Sequence, residues 1–187
     1  METDKATMRR VYRRARDAFV GSLSEQDRMI AFSHLPTPLA RYIRPGLTVA
    51  GYIAMGSEAD PAELLRKADE RGCITVLPYV THRSAPMLFL RWRPGDPLES
   101  GPFGLLQPVA TAERLSPELL LVPLVSFDRS LMRLGQGAGY YDRALSVLDG
   151  AIAIGLAWSV QHAPAIEADH WDVPMDAILT EKAWITA

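Results

Sequence analysis

The stretch LLLVPLVSFDRSLMRLGQGAGYYDRALSVLDGAIAIGLAW, residues 119–158, carries a complete structural unit. LLLVPLVSF (119–127) and AIAIGLAW (151–158) are short apolar runs bounded by charges, proline or glycine, the pattern of strands covered on both faces. Between them, YYDRALSVLDG supplies a helix. Strands joined through a helix lie parallel, so this stretch alone points to an α/β sheet. RLGQGAGYYDR (133–143) is left over, with glycines at alternate positions 135, 137 and 139. It follows the first strand and opens the helix, at the carboxyl end where open α/β sheets place ligands.

The same alternation continues toward the N-terminus. TVAGYIA (48–54), CITVLPY (73–79) and MLFLRW (87–92) read as further strands. DPAELLRKADERG lies between the first two, with Asp60 as N-cap, Pro61 at the first helical position and Gly72 as C-cap. Met8, Val11, Tyr12, Ala15 and Phe19 recur at helical spacing until Gly21 and Ser22. Ser24 then caps a second helix, with Asp27 in the capping-box position. Pro94 to Pro108, rich in proline and glycine, reads as a long surface loop. We therefore expect one domain over residues 1–187, a three-layer α/β/α fold with a largely parallel central sheet, opened by two N-terminal helices.

Charge narrows the partners. Twenty Lys and Arg against 22 Asp and Glu give a net charge of −2, so no global field draws the protein to nucleic acid or membrane, and any anion site is local. The start METDKATMRR lacks the apolar core of a signal peptide, and no apolar run approaches the roughly 18 residues of a membrane span. A cytoplasmic protein with neither nucleic-acid nor membrane partner is expected, as a monomer or small homo-oligomer. Cys73, the single cysteine, starts a core strand and reads as packing; His34, His82, His162 and His170 lack zinc spacing.

The loop has a chemistry of its own. Gly135, Gly137 and Gly139 have no Cβ, so their backbone reaches positive φ and can converge several N–H groups on an anion such as phosphate. Arg133 would add a bidentate partner, and Asp142, in the first helical turn, is placed to hold the Mg²⁺ that accompanies a nucleotide. A plain glycine-rich turn with Asp142 stabilising the helix dipole fits the same residues. The pattern is neither a P-loop nor GxGxxG. Lys5, Arg9, Arg13 and Arg16 fall on one edge of the first helix, where their mutual repulsion would be relieved by a bound anion, or where they form a solvated basic face; Arg10 and Arg14 point elsewhere.

Together, K-A-T-M-R (5–9) and RLGQGAGYYD (133–142) resemble the signature of the 5-formyltetrahydrofolate cyclo-ligase family, also called 5,10-methenyltetrahydrofolate synthetases. YIAMGSEAD (52–60) is similar to that family's substrate-binding strand end and DVPMDAILTE (172–181) to its C-terminal acidic segment. Three positions depart from the pattern: Leu131 where glycine is common, Gln136 where Arg or Gly is frequent, and Trp171 where His often stands. The resemblance implies a three-layer α/β fold and an ATP- and Mg²⁺-dependent conversion of 5-formyltetrahydrofolate to 5,10-methenyltetrahydrofolate, with release of ADP and phosphate. It implies that Lys5, Arg9 and the run Arg133, Leu134, Gly135, Gln136, Gly137, Ala138, Gly139, Tyr140 and Tyr141 bind ATP, and that Asp142 and Asp172 take the metal, with Asp176 less certain. Ile53, Met55 and Glu58 would bind folate together with Gln136 to Tyr140, while Arg133, Gln136 and Tyr140 would serve catalysis. Of Tyr140 and Tyr141, one is expected to stack on ligand and one to anchor the helix. A relative that binds nucleotide but has changed the folate reaction, and an RNA-binding protein using the basic helix, are the alternatives.

Overall fold

The computed structural model describes residues 4–82 and 84–187; the first three residues of the METDKATMRR start lie outside them. Helix α1 spans Lys5–Ser22 and α2 Glu25–Ile30, the latter capped by Ser24, whose Oγ accepts from Asp27 N at 3.0 Å. A short α3 (Thr37–Ala40) leads into β1 (Thr48–Ala50), α4 (Ala62–Glu70), β2 (Ile74–Tyr79) and β3 (Leu88–Arg91). The expected loop 94–108 contains a small hairpin of β4 (Leu98–Ser100) and β5 (Leu106–Pro108). The chain continues through β6 (Leu119–Pro123), β7 (Ser126–Phe127), β8 (Arg133–Leu134), α5 (Tyr140–Leu145), β9 (Ile152–Leu156), β10 (Ala177–Leu179) and β11 (Trp184–Ile185).

Seven strands form the main sheet in the order β11-β10-β9-β6-β1-β2-β3. The five central strands, β10 to β2, pair in parallel, and β3 and β11 close the edges antiparallel. Alternate residues of β6 feed the two faces. Leu119 and Leu121 join Leu64, Leu65, Val20 and Trp158 under α1 to α4, whereas Leu120 and Val122 join Ala144, Leu131 and Ile178 on the α5 side. Each leucine so enclosed contributes roughly 1.5–3 kcal/mol of burial, which explains why the strand reads as continuous apolar sequence. Among the described residues no helix is long and apolar enough to cross a membrane.

Several boundaries differ from the sequence reading, each for a local reason. The run 119–127 is two strands rather than one. Pro123 has no N–H with which to continue the ladder, the chain breaks, and Gln161 Nε2 donates to the stranded carbonyls of Leu124 (2.8 Å) and Val125 (3.0 Å). β7 then pairs with β8 instead, so the glycine loop leaves from a hairpin and not from the main strand. The run 48–54 is hydrogen-bonded as a strand only to Ala50. Gly51 N still reaches Val76 O at 3.1 Å, but in continued register Tyr52 would face Pro78, which has no donor. The helix drawn from YYDRALSVLDG ends at Leu145. Val11, placed in the apolar stripe of α1, is 51% exposed.

Candidate active site

Counted along the chain, the parallel strands β2, β1, β6, β9 and β10 stand in the order 2-1-3-4-5, which puts the reversal of strand order between β1 and β6. Ligands bind outside the carboxyl ends of strands at such a reversal. A cleft of about 710 Å³ opens there, walled by the segment after β1, the glycine loop, the first turns of α1 and residues 169–172.

The glycine loop owes its shape to short-range bonding. Asp128 Oδ1 accepts from Ser130 N (2.9 Å) and Met132 N (3.1 Å), closing the β7–β8 turn through Leu131 at φ 61°. Beyond β8 the backbone turns left-handed at Gly137 (φ 107°) and Gly139 (φ 66°). Helix α1 grips this loop from outside: Arg9 Nε donates to Gly135 O at 2.9 Å, and Arg13 Nε to Gln136 Oε1 at 3.0 Å. Lys5 Nζ lies 2.5 Å from Asp169 Oδ2 and 2.7 Å from Asp172 Oδ2. One side of the cleft thus gathers Lys5, Arg9 and Arg13 around a glycine backbone.

Arg133, expected in the glycine loop as a bidentate partner for phosphate, is buried. It sits on β8 with its side chain 3% exposed, its Nη2 2.7 Å from Asp142 Oδ1 and its guanidinium 5.9 Å from the Tyr141 ring centroid. Its Nε is buried without a hydrogen-bond partner among the described residues. Asp142 also accepts from Val173 N at 3.4 Å, next in sequence to Asp172, so the two acids named as metal ligands border the same end of the cleft. Each spends one oxygen on a cation, and no cluster of three His, Cys, Asp or Glu capable of holding a metal occurs among the described residues.

The opposite side is built on the segment leaving β1. Glu58 Oε2 accepts from Met55 N at 3.1 Å, and Oε1 accepts from Gln136 Nε2 at 3.0 Å. Gln136 therefore bridges Arg13 to Glu58, across the two walls. Ile53 and Met55 line this side, Met55 47% exposed. Tyr140 and Tyr141 both reach the cleft. Tyr140 lies 5.1 Å under the Arg143 guanidinium, and Tyr141 packs against the core on the α5 face. Burial, and after it the charge of Glu58, push the Tyr141 phenol well above its ordinary range, so it stays protonated and is a donor at all physiological pH. Leu134 is 2% exposed, held between Ala163, Ile166 and the side chains of Met8 and Tyr12, and Ala138 gives its carbonyl to Arg143 Nη1 at 2.9 Å.

Sequence reasoning gave no role to Asp169, to Gln107 or to the apolar lining Pro78, Val80, Met87 and Pro123; it noted Trp171 as a departure from the family pattern and Arg16 as part of the basic row. Asp169 shares Lys5 with Asp172, and its spacing of three from Asp172 was the available signal. Trp171, 58% exposed beside the His170 ring at 4.3 Å, stands at the rim. Arg16, the last of the basic row, lies beside Glu58, a pairing that helical spacing does not encode. Arg10 and Arg14 are exposed, as expected.

Fold and cleft define a class: an open α/β enzyme with a cationic, glycine-lined wall facing a carboxylate-bearing wall at the topological switch. Within that class the chain belongs to the 5-formyltetrahydrofolate cyclo-ligase family, whose model matches residues 2–181. It is 35% identical over 151 residues to a 5-formyltetrahydrofolate cyclo-ligase of Mycolicibacterium smegmatis, covering 76% of this chain and 77% of that one. A relative of the same name from Haemophilus influenzae is 37% identical over 99 residues, a match that spans 50% of this chain and about half, 53%, of that protein. The structure of Aquifex aeolicus 5,10-methenyltetrahydrofolate synthetase superposes with a TM-score of 0.75 at 29% identity, over 97% of this chain and 92% of that one.

Proposed function

We propose that this enzyme closes 5-formyltetrahydrofolate to 5,10-methenyltetrahydrofolate at the expense of ATP, with Mg²⁺, releasing ADP and phosphate. The observation that carries the reading is the two-walled cleft, in which Lys5, Arg9 and Arg13 around the glycine backbone face Glu58, Ile53 and Met55, with Gln136 spanning the gap. A triphosphate suits the first wall and a pteridine the second. The names of the relatives supply the reaction.

A formamide oxygen is a poor leaving group. In the reaction proposed, it takes the γ-phosphoryl group, N10 of the same molecule attacks the activated formyl carbon and gives up its proton to solvent, and the C–O bond breaks as phosphate departs with its electron pair. The protein supplies no covalent nucleophile for this; its work is positioning and charge. Arg9 and the loop N–H groups of residues 135–139 would hold phosphate oxygens, and Lys5, released from Asp169 and Asp172, would add its charge. Arg133, being buried, would act by fixing Asp142 and Tyr141 and not as a mobile clamp. The Tyr140 ring at the start of α5 and the Gln136 amide would orient the reacting end of the folate. Glu58 would accept from the amino and N–H edge of the pterin, with Ile53 and Met55 against the ring. Asp142 and Asp172 each keep a second carboxylate oxygen, and Mg²⁺ needs only one or two such ligands where phosphates complete its shell, so the residues fit that ion. Bound there, it would neutralise charge on the transferring phosphoryl group.

Mixing the protein with ATP, Mg²⁺ and 5-formyltetrahydrofolate and following absorbance of the methenyl product tests the reading. Product should accumulate only with all three present. ATP hydrolysis without methenyl formation would instead identify a nucleotide-binding relative with a changed reaction.

A further inference from the structure

Arg16 stands apart from the rest of the cationic row on α1. It is 7% exposed, whereas Lys5, Arg9 and Arg13 are only partly covered. Its Nε donates to Ser57 Oγ at 2.9 Å, Ser57 donates in turn to Asp17, and Trp158 Nε1 donates to Ser57 O at 3.0 Å. Ser57 is thereby pinned from three directions, and the next residue is Glu58. Arg16 Nη1 lies 3.9 Å from Glu58 Oε1, with the two side chains 8% and 10% exposed. That nitrogen is buried and has no hydrogen-bond partner among the described residues.

A carboxylate this far from water needs a counter-charge, and a guanidinium supplies one that cannot be neutralised. Arg13 reaches Glu58 through Gln136, which leaves Arg16, among the described residues, as the cation that faces the carboxylate directly. The distance is informative. At 3.9 Å the two attract without a hydrogen bond, so Arg16 occupies none of the carboxylate's acceptor sites. A carboxylate offers about four such sites. Met55 N and Gln136 Nε2 take two, and two remain for a ligand.

We propose that Arg16 is a positioning residue for pteridine recognition, aiming Glu58 so that its remaining acceptor sites meet a ring edge with adjacent N–H and NH₂ donors. This rests on the folate reading of the cleft. The cation acts through Glu58 and through the pinned Ser57, and has no part in binding the nucleotide.

The test is a double-mutant cycle read by calorimetry, with 5-formyltetrahydrofolate and ATP-Mg²⁺ titrated separately into the wild type, Arg16→Met, Glu58→Gln and the double variant. Arg16→Met should weaken folate binding by about 10- to 100-fold, the range set by losing support for a charge-assisted bond, and leave ATP within about twofold. In the Glu58→Gln background the same change should add less than about threefold, since the charge it supports is gone. Arg16→Lys, which keeps a buried cation, should recover part of the loss, and it carries the test if Arg16→Met fails to fold. Additive losses, or equal losses for both ligands, would overturn the proposal. Loss with Glu58→Gln but none with Arg16→Met would sink Arg16 alone, whereas a wild type that binds no folate would remove the reading of the cleft and the proposal with it.

Discussion

Arg133 carries its charge where water scarcely reaches, and its ion-pair partner among the described residues is Asp142 at 2.7 Å. Removing one member of a buried pair leaves the other uncompensated, which costs about 3–5 kcal/mol; Asp142 keeps some solvent at 18% exposure, so the lower end applies. Arg133→Ala should therefore lower unfolding free energy by about 3 kcal/mol as well as abolish activity, and urea denaturation beside the product assay measures both. A variant that is inactive at wild-type stability would return Arg133 to the role of a phosphate ligand. The residue type and its place in RLGQGAGYYD were legible in the sequence; its burial was not, because two-residue β8 is too short to show a period and its partner lies across the glycine loop. Leu131 shows the opposite case. Its departure from glycine in the family pattern marks the position found at φ 61°, and the side chain is retained against the usual αL cost of about 1–2 kcal/mol because it is 4% exposed in the core.

At the scale of elements, strands buried on both faces announced themselves as apolar runs, whereas their ends did not. Pro123 was visible as a proline, but the rescue of the carbonyls beyond it by Gln161 joins residues about 37 apart, and no local pattern records that. β10 and β11 were too short to stand out; β10 belongs to the segment 172–181 legible only by resemblance, and β11 lies just beyond it. The glycine loop was the clearest element in the chain, and one of its glycines can be separated from a glycine that serves shape alone. Gly137 (φ 107°) and Gly150 (φ 72°) both hold positive φ, so valine strains either by about 1–3 kcal/mol. A Cβ at Gly150 meets nothing within 4 Å, while at Gly137 it lies 3.4 Å from the Arg9 guanidinium carbon. Both variants should melt lower, but only Gly137→Val should lose ATP affinity in calorimetry. Equal retention of ATP binding would remove the loop from the phosphate site.

Across the whole molecule, Lys5 ties the first turn of α1 to residues 169–172 near the other end of the chain, closing the cleft from outside. The bond has two titrating partners, and each sets one limit in pH. Burial alone would raise the Asp172 carboxyl, but the hydrogen bonds from Lys5 and from Asp169 N outweigh it, and the group ends below its ordinary 3.8. A depressed acid contributes stability that is fully present above 3.8 and is lost as pH falls through the lower folded value. Burial alone would depress Lys5, but its hydrogen bonds to Asp169 and Asp172 outweigh that, and the amine ends above its ordinary 10.5. A raised base contributes stability that is fully present below 10.5 and is lost as pH rises through the higher folded value. The clamp should therefore contribute evenly from roughly pH 5 to 9.5 and fade at both extremes. Lys5→Met isolates it: melting temperatures of the two proteins should differ by a constant amount across the plateau, and the gap should close below pH 4 and above pH 10.5. Because Lys5 and Asp169 are partly exposed, added salt should narrow the gap on the plateau as well. A difference that persists unchanged into acid would mean that Lys5 stabilises the fold by the packing of its stem and not by its bond to Asp172.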